Sequence, residues 1–352
     1  MIQLRRKKSI FALDIGSYAI KLVELKKTKK NYQLVNLNSV TLPPEAIIDG
    51  ALMDSGAITD AIRELISGSK YRTKNVSTSI SGHSVIIKKI SLQAMTEDEL
   101  ADSIQWEAEQ YIPFDIADVN LDFEILGPNE ADSNQMDVLL VAAKKEIIDD
   151  YSGVLSDVDL TPSVMDIDAF AVQNMLELNY PPQLGEMIVV INIGAELSNI
   201  NVIMDGISLF TRDVASGGGQ ITEDLQKHFG ISYEDADNFV RGMDVDGLDD
   251  SEAKTLIKAS TDSLSYEIAR TIDFFLATNS EYKIVKAYIC GGGAKIEGIE
   301  NILSDKLKIP AEIADPFKEI SFNEKKFDRE YLKDVAPVFG VAVGLAIREE
   351  GD

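Results

Sequence analysis

Apolar and polar positions alternate with a period of two near the start of the chain and again past its middle. Both times a sharp Asp/Asn-Ile-Gly turn interrupts the alternation. Residues 9–15, 19–26 and 31–41 predict a three-stranded meander with Ile20, Leu22 and Leu34 facing inward, and 187–193, 197–204 and 207–213 predict a second. Between them, Asp54–Ser67 carries Ile58, Ala61, Ile62 and Leu65 on one helical face, followed by a strand at 75–81. A segment with its own rhythm comes next: strand 84–91, helix 97–111, strand 119–126, acidic loop 127–134, strand 136–143, helix 144–156. Thr96 and Glu99 form a capping-box pattern there, Leu100, Ile104, Ala108 and Tyr111 one stripe, and Pro113 a stop. After the second meander, Gly217-Gly218-Gly219 opens a helix at 220–228. A helical stretch, 232–279, is broken by the acidic loop 244–250. A strand at 285–290 then runs through Gly291-Gly292-Gly293 into a helix at 297–306, and Pro337 opens a last helix through Arg348.

The recurring meander reads as an internal duplication in which only the hairpins match in sequence. A chain of 352 residues with 45% apolar content has material for more than one core. The formal charge of -25 argues against a nucleic-acid surface and suits a basic partner. The single cysteine, Cys290, excludes an intrachain disulfide and fits a reducing compartment, and His83 and His228 have no zinc spacing. The basic cluster Arg5-Arg6-Lys7-Lys8 precedes an apolar run that Asp14 interrupts, too short for a signal peptide. The stretch 335–347 is well short of the roughly 20 residues of a membrane span.

A polyphosphate needs backbone N–H groups aimed at it with no side chains in the way, and glycine hairpin turns supply them. Gly16 and Ser17 would meet phosphates from one side, Gly194 and Ala195 from the other. Asp14 suits a magnesium ion that keeps its water shell, while Lys21 could reach a phosphate and Ser198 could donate its hydroxyl. Gly291, Gly292 and Gly293 would let a nucleotide lie against backbone at a helix start. Each motif alone is no more than a tight turn; three in this order are specific. The chain holds no G-x-x-x-x-G-K-[ST] and no G-x-S-x-G, and its third cluster does not complete G-x-G-x-x-G.

With these residues in place the chain resembles the actin-like ATPase superfamily. Asp14-Ile-Gly-Ser17 looks like its phosphate-1 motif, Asn192-Ile-Gly-Ala195 like phosphate-2, and Ile289-Cys-Gly-Gly-Gly-Ala294 like the adenosine motif. Within it, Phe11–Ser17, Glu107–Phe114, Leu121–Phe123, Asp166–Ala171, Arg212 with Gly217-Gly218 and Ile221-Thr222, and Val341–Arg348 resemble the PilM family of type IV pilus assembly. That resemblance implies an α/β chain of two duplicated ribonuclease H-like domains with an inserted small α/β subdomain of the FtsA/PilM type. It divides the chain into 1–84 (subdomain 1A), 85–157 (inserted subdomain 1C), 158–185 (return to 1A), 186–228 (2A), 229–284 (2B), 285–334 (2A again) and 335–352 (a helix returning to 1A). It also implies ATP or ADP with Mg2+ as cofactors, with Asp14 the metal-side carboxylate. Tyr18, Gly217, Gly218, Gly219, Glu267, Arg270, Ala294 and Ile296 join the nucleotide-binding set, and Asp14, Asp168 and Asn192 are the residues nearest the chemistry.

One position departs from the superfamily: phosphate-2 usually begins with Asp, and here it is Asn192. Asparagine accepts a hydrogen bond but supplies no charge, so nucleotide binding is expected with slow hydrolysis, and Asn192→Asp is the substitution expected to speed it. Asp168 falls near the residue that positions the attacking water. The resemblance implies the cytoplasmic N-terminal peptide of PilN as direct partner, docked beside the inserted subdomain at the inner face of the cytoplasmic membrane. Other pilus inner-membrane and motor components would be further partners, with self-association possible. Three alternatives stand beside this: an FtsA-like filament-forming scaffold, opposed by the acidic tail Arg348–Asp352; a metabolic kinase, with Asp168 the only base to offer; and a secretion-system relative.

Overall fold

The computed structural model describes residues 10–349 apart from 30, 68–70, 72 and 130; Ser9, the 5–8 basic cluster, Glu130 of the first acidic loop and the tail beyond 349 lie outside the described residues. The first half opens with β1 (Phe11–Ile15), β2 (Ala19–Lys27) and β3 (Tyr32–Thr41), then a small hairpin of β4 (Ile47–Ile48) and β5 (Ala51–Leu52), helix α1 (Ser55–Ser67) and β6 (Asn75–Ile80). The inserted segment holds β7 (Val85–Gln93), α2 (Glu97–Ala108), β8 (Val119–Pro128) and β9 (Gln135–Lys144). Helix α3 (Lys145–Ser156), β10 (Thr161–Ile167) and α4 (Asp168–Asn179) lead to the second half. There β11 (Met187–Ile193), β12 (Ser198–Met204) and β13 (Ile207–Val214) precede α5 (Gly219–Phe229), α6 (Tyr233–Val240) and α7 (Asp250–Thr278). The chain continues through β14 (Ile284–Cys290), α8 (Ile299–Leu307), β15 (Ala311–Ile313), α9 (Arg329–Val335) and α10 (Gly340–Ile347).

The two large sheets have one topology. The first runs β10-β6-β1-β2-β3 and the second β13-β12-β11-β14-β15: an antiparallel meander extended from its first strand by two parallel strands. The duplication, visible in sequence only at the hairpins, is therefore complete at the level of strand order.

Both faces of each sheet are covered, so their central strands are almost continuously apolar. Phe11, Leu13 and Ile15 face a core completed by Ile58, Ile62 and Leu65 of α1 and Val154 and Leu155 of α3. Val189, Ile191 and Ile193 face Leu264, Ile268 and Ile272 of α7 and Leu303 of α8. The opposite faces, Ala12 in one sheet and Val190 and Cys290 in the other, share a third core with α4 and α10. These two helices lie between the sheets and cross in backbone contact at Gly344, where an added Cβ would come 1.7 Å from the Ala171 carbonyl oxygen. Asp14 and Asn192 alternate onto the same inner faces as Ala12 and Val190.

The inserted segment forms a three-stranded sheet, β7-β9-β8, with its own core of Ile90, Leu92, Leu100, Ile104, Val138 and Leu140. The capping box closes both ways: Thr96 Oγ1 accepts from Glu99 N–H at 3.3 Å and Glu99 Oε2 accepts from Thr96 N–H at 2.8 Å. Helix α2 ends at Ala108, three residues before the expected Tyr111, because the N–H groups of Tyr111 and Ile112 both turn back to the Ala108 carbonyl ahead of Pro113. The final helix is entered through a 3-10 turn, Ala336–Phe339, with Pro337 in its first turn. Among the described residues no helix is long and apolar enough to cross a membrane.

Candidate functional site

Asp14 is the penultimate residue of β1 and Lys21 stands directly opposite it on β2, so the hairpin itself brings the two side chains together. Lys21 Nζ lies 2.9 Å from Asp14 Oδ2, and the carboxylate is buried. The turn between them is closed by Gly16 N–H donating to the Ala19 carbonyl at 3.3 Å, with Ser17 and Tyr18 at its tip. The Tyr18 hydroxyl donates to Asp237 Oδ2 of α6 at 2.9 Å, and Arg241 lies over the Tyr18 ring, so this turn is tied to the second half.

The second hairpin repeats the arrangement. Asn192 is the penultimate residue of β11 and lies opposite Asn199 on β12, the same seven-residue spacing as Asp14 and Lys21. Gly194 N–H closes the turn on the Leu197 carbonyl at 2.9 Å. The Gly218 and Gly219 N–H groups donate to the Gly194 and Ala195 carbonyls, both at 2.8 Å, so the glycine run Gly217–Gly219 braces this turn from behind. Ser198, fully buried, donates its hydroxyl to the Ser216 carbonyl at 2.7 Å and is likewise a brace. Gly291 has φ +86°, and a Cβ there would strike the Ile193 carbonyl at 2.4 Å, which locks the adenosine-like motif onto the same hairpin. Gly292, Gly293 and Ala294 then turn through a 3-10 helix, closed by Ile296 N–H on the Gly293 carbonyl.

Asp168 begins α4 and accepts a 2.5 Å hydrogen bond from Ser79 at the end of β6. It keeps some water contact but sits deep between the halves. Burial, followed by the charge of Asp14, pushes its carboxyl up to about 7, against the hydrogen bonds from Ser79 and Ser81, and the charge of Asp213 adds to the rise. The same site holds the Cys290 thiol protonated, pushed up to about 12 by burial and then by Asp14 and Asp168. That thiol reaches Asn192 Oδ1 at 3.6 Å. Glu196 of the second turn accepts the Asp49 N–H of the first half at 2.9 Å, and Tyr18 of the first turn reaches Asp237 of the second half, so both turns border one cleft.

Three adjacent strands carry a polar row at this level. Asn192 Nδ2 donates to Asn199 Oδ1 at 2.9 Å, and Asn199 Nδ2 donates to Asp213 Oδ1 at 2.6 Å. The structure so brings together Asp14, Lys21, Asp168, Asn192 and the glycines of all three motifs. Glu267 and Arg270 pair with each other on α7 at 3.6 Å and share no hydrogen bond or ion pair with those motifs among the described residues. Sequence reasoning missed Ser79, Asn199 and Asp213. The signal for Asn199 was present, since it stands as far from Asn192 as Lys21 does from Asp14.

Two sheets of repeated topology, each presenting an Asx-Ile-Gly turn to a shared cleft, define an actin-like ATPase fold. Solved structures of that fold agree over nearly the whole chain: MreB5 of Spiroplasma citri bound to ADP, 12% identical, TM-score 0.52, covering 95% of this chain and 94% of that one; and the ethanolamine utilization protein EutJ from Carboxydothermus hydrogenoformans, 15% identical, TM-score 0.56, covering 96% and 89%. The chain matches the Type IV pilus assembly protein PilM family over residues 12–350 and belongs to it. It is similar to the PilM-PilN type IV pilus biogenesis complex structure at 28% identity and TM-score 0.86, covering 97% and 98% of the two chains.

Proposed function

We propose that this is a nucleotide-binding clamp of the type IV pilus inner-membrane platform, which binds ATP or ADP with Mg2+ and holds the cytoplasmic N-terminal peptide of PilN. The observation that carries the nucleotide reading is the repeated Asx-Ile-Gly turn, with the Asp14–Lys21 pair at the first and Asn192 at the second. The space fits the ligand at the third motif, where a Cβ added at Gly292 would meet nothing within 4 Å, and at the first a Cβ on Gly16 would touch only the Lys21 and Asp14 side-chain ends and the Ala19 carbonyl, none closer than 3.4 Å. The charge fits only a polyphosphate that brings a cation. Lys21 is set against Asp14, Asp168 and Asp213, and among the described residues no group of three or more His, Cys, Asp or Glu forms a ready metal cage. Asp14 would therefore hold Mg2+ through its waters while phosphates neutralise the rest of its charge. Mg2+ supplies screening of the phosphate charge. Asn192 Oδ1 offers an acceptor, and Asp168, with its carboxyl near neutrality, can take a proton from a water it orients. With a neutral amide where a second carboxylate would stand, hydrolysis is slow and the site serves chiefly as a binding switch.

PilN as partner follows from family membership and from the likeness to the PilM-PilN complex. The seat we propose is the seam between the first half and the inserted segment, and holding that tail would keep the protein at the inner face of the cytoplasmic membrane. Calorimetry with ATP tests the first part: binding is expected with Mg2+, is weaker in EDTA, and falls about tenfold or more in Asp14→Ala. No heat from ATP or ADP at millimolar concentration would overturn the clamp.

A further inference from the structure

Strand β6 ends beside the cleft at Ile80, and only residues 81–84 separate it from β7, the first strand of the inserted segment. This four-residue link is gripped from both halves. From the first half, Asp49 Oδ2 lies 2.6 Å from His83 Nδ1, and Asp168 accepts from the hydroxyl of Ser79, two residues before the link. From the second, Asp213 Oδ2 accepts the Gly82 N–H at 2.8 Å. Gly82 has φ +88°, and a Cβ there would lie 2.6 Å from the Asp49 carbonyl oxygen, so the link is wedged against the loop at 49–50. That loop is itself tied across the cleft, with Asp49 N–H donating to Glu196 Oε2 at 2.9 Å. On its other side the link holds the inserted segment: Val85 N–H donates to the Gly82 carbonyl and Lys144 N–H, at the end of β9, to the Ser84 carbonyl.

Asp213 is also the end of the polar row that starts at Asn192. An ionised carboxylate only accepts, so it takes the Asn199 amide NH2; Asn199 then has only its oxygen for Asn192, and Asn192 must turn its own oxygen elsewhere. The bonds run unbroken from Asn192 through Asn199 and Asp213 to Gly82 N–H. We infer that residues 81–84 couple the nucleotide cleft to the inserted segment, with Asn199 and Asp213 as positioning residues that transmit the state of Asn192 to the link. This rests on the nucleotide reading above and adds how the two proposed sites communicate. A ligand that pulls on Asn192 draws Asn199 with it, loosens or tightens Asp213 on Gly82, and so shifts β7. By linkage, a partner that moves β7 changes nucleotide affinity by the same factor.

Hydrogen–deuterium exchange on the full chain tests this, using Asn199→Ala and Asp213→Ala, which removes both acceptor oxygens, with circular dichroism to establish folding. Without nucleotide, exchange across 81–86 should rise on the order of fivefold in each variant, the factor carried by one hydrogen bond of ordinary net strength. For Asn199→Ala this would occur although the altered residue lies in the other half and does not touch the link. Unchanged exchange there overturns the relay whether or not nucleotide binds. With Mg·ATP added, and occupancy established by calorimetry, protection across 81–93 should change in the wild type and stay unchanged in the variants. The same response in wild type and variants, or none in the wild type with ATP bound, also overturns it. Absence of ATP binding in every protein refutes the clamp instead, and the nucleotide-free comparison still judges the relay. Asp213→Ala, at a position only partly buried, preserves the test should Asn199→Ala not fold.

Discussion

The Asp213 carboxylate has no proton to offer, and the facing of Asn199 and Asn192 follows from that. The expectation that Asn192→Asp alone would speed hydrolysis meets an obstacle here: the introduced carboxylate would face the Asn199 oxygen, which cannot turn away while Asp213 holds its NH2. We expect Asn192→Asp to lose roughly 1–3 kcal/mol of stability, the usual cost of an unmade buried hydrogen bond. Adding Asp213→Asn frees Asn199 to reverse and should recover much of it. Urea midpoints of the two single variants and the double variant measure this; a double variant whose losses simply add would refute the directional row. Asp168 gives a second prediction at this scale. Its carboxyl is raised from an ordinary value of 3.8 to about 7 in the folded protein, so the folded state binds the proton more tightly across that window. Stability contributed by this group therefore falls as pH rises from about 4 to about 7. Asp168→Asn, which can still accept from Ser79, should stabilise at pH 8 by roughly 1–3 kcal/mol, discounted for water access, with a smaller gain at pH 5. Melting curves at the two pH values decide; an equal change at both would mean that charge is not the cause.

Elements bounded by strong local signals were legible in the sequence. The meanders were found from apolar runs punctuated by the Asx-Ile-Gly turns, although β1, β11 and β12 are buried on both faces, and α2 from its capping box and its stripe of Leu100, Ile104 and Ala108. Helix α4 was not anticipated, although it begins at Asp168. It lies between the two sheets with Ala169, Ala171, Val172, Met175 and Leu176 all buried, so no polar face marks a period of 3.6. Strand β10 carries Pro162 and a register shift beside it, and β4, β5 and β15 are too short to show alternation. The site divides in the same way. Asp14 and Asn192 were found because each precedes a glycine turn, a local signal. Asn199 and Asp213 matter only as neighbours across strands β11, β12 and β13, and that register needed the structure.

At the scale of the whole molecule the excess of acid favours a basic ligand over an acidic one. A formal charge of -25 repels acidic ligands and attracts a peptide rich in lysine or arginine, as cytosolic tails beside membrane spans tend to be. Titration of the intact protein with a synthetic basic tail peptide should show affinity falling severalfold between 50 and 300 mM NaCl, and falling again when its lysines are replaced by alanine. Affinity indifferent to both would place charge outside the recognition. Molecular architecture also bears on how the protein comes into being. Helix α10 packs against β1 and α4, and Arg348 Nε, just after it, lies 2.9 Å from the buried Asp166 Oδ2 at the end of β10. A ribosome delivers residues in order, and the strands of the first half emerge long before the helix that fills the layer beneath them. Until the entire second half has been made, the first half carries an open apolar trough beside Ala12 and Ala171. The nascent chain must shield that trough for much of its synthesis, and the cleft can take its finished shape only after residues 340–348 have arrived.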